Sequence, residues 1–374
     1  MNTTMSLGFP ARLIPVLVAL LTTLPGAEAQ QVSKKFAHVA MPDEITRVTH
    51  NAHESFAGNS RKIWRIDTRT WTADSAAFLN PNKVFTTIQG MAGHGENLYF
   101  YVNGDGVYRL GAKGAKPQIV RSAGKDFCKN IEEAYSAMNV DPTGGFLVLY
   151  GQNENAVVFD IARGMQPVVV YNDYVPDAYW LGNSLWAGCL DKVVLNKRTG
   201  RSLDNNDFIN YGENDQHGLT KFYVTSDPVV PEMGETRRFI QAHGEMKRLL
   251  YNKANGDLLL CTSSFGSNAR TQIFKMTETG ASPVAEINGS FEDFAAYGTK
   301  IVARGGRGFV EFSYGDKLTS AEANPIVTDI MKPKMWKGQT PEPYEIYGCA
   351  FMDFDSKGNL WIAYGKDLFV KFRQ

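Results

Sequence analysis

The chain has 374 residues with 39 basic and 39 acidic side chains, so its formal charge is zero. That balance excludes the broad basic surface of a nucleic-acid binder, and no nucleic-acid partner is expected. Apolar residues make up 43% of the chain, enough for a large core, and the length suits either two ordinary domains or one closed β architecture.

The first 29 residues read as a secretory signal. Arg12 supplies the positive end, Leu13 to Leu24 ("LIPVLVALLTTL") the apolar stretch, and Ala27 to Ala29 ("AEA") the small residues of a cleavage site. The stretch is too short to span a bilayer comfortably, although an uncleaved N-terminal anchor is the alternative. No later run is long and apolar enough to cross a membrane. The expectation is a secreted or periplasmic monomer occupying residues 30–374.

After the signal come "HNAHE" (His50 to Glu54), "KIWRID" (Lys62 to Asp67) and "TWTADSAAF" (Thr70 to Phe78). The two histidines do not follow the H-E-x-x-H order of a metalloprotease helix, so they are expected to bind no metal. A repeat then begins: a polar turn ending in Gly or Asn, a short hydrophobic strand, a loop and a second strand. It recurs at His94 to Leu110, Val140 to Ile161, Leu181 to Asn196, His217 to Asp227 (a looser copy), Tyr251 to Met276, Tyr297 to Phe312 and Phe354 to Phe372. The turns are spaced by about 43 residues, the length of one four-stranded propeller blade. Helical patterning is scarce; only Lys129 to Met138 invites a helical turn.

These elements predict an all-β fold, a single β-propeller of seven four-stranded blades, with six and eight as alternative counts and a pair of β-sandwiches as the rival. A blade has two apolar faces and cannot bury both alone, so packing the blades into a closed ring removes the open face. The chain stops on a strand, Asp367 to Lys371, which needs a partner from elsewhere. Part of Val32 to Phe78 is expected to supply it.

Acids and histidines stand near the starts of the predicted innermost strands: Glu132 and Glu133, Asp177, Glu292 and Asp293, Glu345, with His94, His217 and His243 in other repeats. Convergence of these side chains on the ring axis would imply Ca²⁺ or another divalent cation, a basic ligand, or acid–base chemistry, because buried like charges need compensation. Each is equally read as a solvated turn residue. Tyr135, Tyr179, Trp180, Phe294, Tyr297, Tyr344 and Tyr347 accompany the acids, as sugar-stacking rings or as blade core. "VNGDGVY" (Val102 to Tyr108) signals a hairpin, and "ARGGRG" (Ala303 to Gly308) either an anion cradle or a bulged hairpin. The four cysteines form no C-x-x-C pair. Cys189 and Cys261 sit in apolar strands as free thiols, and a disulfide, if present, would join Cys128 to another cysteine, Cys349 being the fourth in the chain. "NGS" (Asn288 to Ser290) is a glycosylation sequon, relevant only in a eukaryotic secretory route.

The wording "DSKGNLWIA" (Asp355 to Ala363) resembles the blade motif of NHL-type, gluconolactonase-like and two-component-regulator propellers, with weaker echoes at Asp141 to Leu149 and Asn252 to Leu260. The resemblance implies a propeller. Gluconolactonase-like enzymes hold a divalent cation in the channel, but their ligand motifs have no residue-by-residue match here. Two functions follow: a module that binds carbohydrate or a protein at its channel face, or a propeller enzyme, either a metal-assisted lactonase or hydrolase or a lyase acting on sugars. The long insertions Ser320 to Tyr344 and Val224 to Arg238 are candidate recognition loops, with Trp336 as a contact.

Overall fold

A computed structural model describes residues 36–79, 86–122, 135–151, 154–171, 173–197, 219–226, 238–305, 308–320, 324–325 and 351–374. The described residues form strands and turns without a helix, arranged as seven sheets of four or five strands. Each sheet is one blade. The innermost strands are Arg47–His50, Ile88–His94, Ala137–Val140, Asp177–Leu181, Glu245–Tyr251, Asp293–Tyr297 and Phe351–Phe354, in blade order one to seven. Each lies against the innermost strands of two neighbouring blades, and the seventh lies against the first. The ring is therefore closed.

The packing shows why closure is required. Seven apolar clusters are present, and each spans the interface between two blades rather than the interior of one. Between the third and fourth blades, for example, Val148 and Val158 meet Trp180, Leu185 and Val194, all below 2% exposure. Alternation along each strand sends side chains to both faces of a blade, so every blade needs two neighbours. An open arc would leave two such faces in water.

The C-terminal strand finds its partner at the other end of the chain. Phe36–Ala40 pairs antiparallel with Asp367–Lys371 and completes the seventh blade. Lys62–Asp67 and Thr72–Phe78 do not join it. They are the third and fourth strands of a complete first blade. The copy beginning at His217 is likewise not a blade of its own: Leu219–Thr225 is the fourth strand of the fourth blade. The first blade escapes the repeat pattern because its hairpin turn uses no glycine. Asn51 Oδ1 accepts the His53 and Glu54 N–H groups instead, at 2.9 and 2.7 Å.

The repeat motif itself is a turn-building device. Asp355 accepts hydrogen bonds from the Lys357 and Asn359 N–H groups, Asn359 Nδ2 and the Trp361 indole Nε1. Asp141 does the same with the Thr143 and Phe146 N–H groups and the Thr143 hydroxyl. The glycines that follow, Gly144 and Gly358, have φ of +76° and +81°, a region that side chains disfavour. Both hairpin readings hold for the loops at Gly104 and Gly305: Val102 pairs with Gly106, and Gly305 with Gly308. Ala137 and Met138 are strand, Tyr135 and Ser136 are irregular, and residues 129–134 of the possible helical turn lie outside the described residues.

The insertions add rim strands. Arg238–Gln241 pairs in parallel with Leu219–Thr225 as a fifth strand of the fourth blade. Thr319–Ser320 does so on the fifth blade, while Asn324–Pro325 completes the sixth. Residues 326–350, including Trp336, lie outside the described residues.

Candidate functional site in the axial channel

Two of the predicted acids, Asp177 and Asp293, are the first residues of the innermost strands of the fourth and sixth blades. They do converge, but on a protein cation. Arg248, from the innermost strand of the fifth blade, lies between them. Its Nε is 3.3 Å from Asp177 Oδ2 and its Nη1 donates to Asp293 Oδ1 at 2.9 Å. A bulge at Met246–Arg248 shifts the register of this strand next to the arginine. Asp177 Oδ2 also accepts the Leu249 N–H at 3.2 Å, which ties the fourth blade to the fifth.

The electrostatics follow from burial. The Asp177 side chain is 4% exposed, against 14% for Asp293 and 34% for Arg248. Burial pushes the Asp177 carboxyl up to about 6, while Arg248 and the Leu249 N–H pull it down and Asp293 pushes it further up. The Arg248 guanidinium is held well above its ordinary value, first by Asp177 and also by Asp293. The triad is thus a cation shared by two acids on three neighbouring blades. Tyr150 and Tyr179 stand in its field, and desolvation pushes both phenols up. Asn139 Nδ2 donates to the Ala178 carbonyl, another tie between innermost strands. Toward the hairpin-turn end, Lys253 of the fifth blade stands 3.8 Å from Asp353 of the seventh.

The other predicted residues divide. His94 does not join the acids. It is the last of the seven residues of its strand, so it lies at the opposite end, about 20 Å along the strand from the start. There its ring packs on the turn of the third blade, against Gly144. His243 is exposed in the loop before the fifth blade, with its N–H donated to Gln272 Oε1 at 2.8 Å. Tyr179 is partly buried and packs 6.2 Å from Tyr251. Trp180 is not a ligand-facing ring: it is fully buried between the third and fourth blades because it alternates with Tyr179 onto the other face of the strand. Phe294 is core for the same reason, and Tyr135, which precedes its strand, is buried between the second and third blades. Glu132, Glu133, His217, Tyr344, Glu345 and Tyr347 lie outside the described residues.

Among the described residues, no group of three or more His, Cys, Asp or Glu could hold a metal ion. Asp177 and Asp293 find their compensating charge in Arg248. In "HNAHE", His50 Nδ1 is 2.8 Å from Ser55 Oγ, and His53 lies in the turn with its N–H donated to Asn51 Oδ1. Cys189 and Cys261 are free and buried, and burial pushes the Cys189 thiol up to about 12. Cys128 and Cys349 lie outside the described residues. No helix among the described residues is long and apolar enough to cross a membrane.

Sequence reasoning missed Arg248. The available signal was a basic residue directly before the apolar run "LLY" in the strand "EMKRLLY". A cation placed there has to find carboxylates, and two were already predicted at the same level.

At the same end of the ring two large apolar side chains stand in water. Register places them: Asp177 pairs with Gly188, and Leu190 follows two residues later; Glu245 pairs with Ser263, and Phe265 follows two residues later. Leu190 is 60% and Phe265 64% exposed. The Lys247 ammonium lies 4.3 Å from the centre of the Phe265 ring. This arrangement puts an aromatic ring, an aliphatic side chain and a cation beside the channel mouth.

No family model matches the sequence, and no curated protein matches it. Solved structures share the fold. One chain of the crystal structure of the mitotic checkpoint complex is 11% identical with a TM-score of 0.58, covering 90% of this chain and 95% of that one. The Neurospora crassa Pan2 WD40 domain is 12% identical with a TM-score of 0.54, covering 93% and 100%. YCF48, in a structure bound to D1 peptide, is 9% identical with a TM-score of 0.52, covering 92% and 99%. At these identities the likeness is one of fold: a seven-bladed β-propeller with WD40 propellers among its structural neighbours.

Proposed function

We propose that this is an exported propeller that binds a protein or carbohydrate ligand at the end of the ring where the innermost strands begin. The reading is carried by Phe265, a 64% exposed ring under a lysine ammonium at the channel mouth. Exposed aromatic and aliphatic side chains rimmed by charge are what protein interfaces and sugar-stacking sites share. The solved neighbours support it coarsely, since one of them was solved with a peptide bound. The leader-like N-terminus supports export, and the Asp355 to Ala363 turn resembles the NHL-type blade motif in wording.

The enzymatic alternative draws on Asp177, whose carboxyl near 6 would suit proton transfer. That side chain is 4% exposed and its Oδ2 is already engaged by Arg248 and the Leu249 N–H. Tyr179 is shifted upward, the wrong direction for a base. The acids therefore read as scaffold and the rim as the contact surface.

The test uses the mature chain on a glycan array and on an array of peptides from exported proteins. The expected result is saturable binding that chelators leave unchanged, and that Leu190→Ser with Phe265→Ser weakens at least about tenfold, the loss expected for removing a central apolar anchor. Binding unaffected by that pair of substitutions in a folded variant rejects the site. Turnover of a bound sugar that depends on Asp177 replaces this reading with the enzymatic one.

A further inference from the structure

The ring is sealed where the seventh blade meets the first, and a histidine sits in that joint. His50 ends the innermost strand of the first blade and is 5% exposed. Its Nδ1 is engaged with Ser55 Oγ, while its Nε2 is buried without a hydrogen-bond partner. Its ring lies 4.9 Å from that of Trp361, a fully buried residue on the second strand of the seventh blade. On the opposite side, the His50 carbonyl backs onto Gly93 of the second blade so closely that a Cβ there would clash. The ring thus sits between the first and seventh blades, while the backbone of the same residue is held against the second.

The charged groups that face it are Asp353 and Asp355 from the seventh blade and Lys253 from the turn of the fifth. Asp355 is committed to its turn, with four donors from Lys357, Asn359 and Trp361. Asp353 accepts the Phe354 N–H and neighbours Lys253. Among the described residues no carboxylate hydrogen-bonds the imidazole, so a proton on Nε2 would be a buried charge without a bonded counterion.

We propose that the joint between the seventh and first blades is a pH-sensitive latch, which protonation of His50 loosens while the other interfaces stay closed. A second histidine separates this joint from the strand pairing inside the seventh blade. His38, on the N-terminal strand, is 2.7 Å from Asp367 Oδ1 and stacks on Phe369 at 5.0 Å. That imidazole has a carboxylate partner within its own blade, whereas His50 has none among the described residues. The device opens an interface between blades and leaves the N-terminal strand attached to the C-terminal one.

The sign follows from burial, which outweighs the nearby acids and lowers the imidazole to about 4 from 6.5. A depressed histidine stabilises the closed form above pH 6.5 and loses that contribution as pH falls toward 4. Between pH 7.5 and pH 5 the opening equilibrium should rise about 30-fold.

Hydrogen exchange on the full chain, expressed as protection factors at pH 7.5 and pH 5, tests this. Segments Arg47–His50, Ser55–Gly58 and Phe351–Phe354 should lose protection about 30-fold, in line with the linkage. Ser184–Gly188 in the fourth blade and the pair Phe36–Ala40 with Asp367–Lys371 should not. His50→Asn, which keeps a polar atom for Ser55, should abolish the difference. A loss spread evenly over the blades, or one that persists in His50→Asn, overturns the latch. If that variant does not fold, an NMR titration of the wild-type histidines decides: His50 should stay neutral below pH 5, and titration near its ordinary value refutes the proposal.

Discussion

Arg248 shows how one residue can organise a channel. Two acids from different blades would repel one another at the axis, yet one guanidinium between them turns repulsion into a tie across three blades. Such a pair adds little against an apolar replacement of all its members, but removing one member leaves a buried charge. Arg248→Leu should therefore cost about 3–5 kcal/mol at pH 8 in urea unfolding. The loss should shrink near pH 5. Asp177 has a folded-state value above its ordinary 3.8, so its contribution is present at low pH and fades as pH rises through about 6. Without the arginine that window moves higher still. A cost independent of pH would show that Asp177 is not the group left stranded.

At the scale of the strand and turn, the repeat motif works through hydrogen bonds and left-handed glycines. Gly144 combines both demands, with φ at +76° and the His94 ring lying where a Cβ would go. Gly144→Ala should destabilise by about 1–3 kcal/mol, the sum of the left-handed penalty and the displacement of the ring. Adding His94→Ala should recover the second part only, which thermal unfolding of the two variants would resolve. Full recovery would mean that the turn tolerates a side chain. The same local view explains what pattern reading caught and missed. Turns that need glycine announce themselves, as at Gly144, Gly256 and Gly358. The first blade turns on Asn51, with no glycine to mark it.

For the whole molecule the governing fact is closure. Seven apolar interfaces hold seven blades, and the joint of the last with the first depends on Ala37 and Val39 of the N-terminal strand, which are 0% and 2% exposed. Deleting residues 1–40 should expose the edge of Asp367–Lys371 and half of that joint. An open edge with a bare apolar face invites pairing between chains. The expected outcome is concentration-dependent association in light scattering and loss of a single cooperative melt. A truncated chain that stays monomeric and melts as the full one does would show that the N-terminal strand is dispensable.

The architecture was legible because its causes are local and repeated: short apolar strands, polar turns and a spacing of one blade appear directly in the order of residues. The blade number came out at seven although one copy was misplaced at His217 and one blade was overlooked, since strand patterns do not say which sheet a strand joins. The acids at the starts of the innermost strands were visible for the same local reason. What they face was not. That Asp177 and Asp293 meet Arg248, that the face of the strand carrying Trp180 is covered by the third blade and that the His94 ring packs against Gly144 depend on contacts between residues dozens of positions apart. Such contacts are settled by how blades twist and pack, so charge compensation at the axis belongs to the tertiary structure, whereas the strands that carry the charges belong to the sequence.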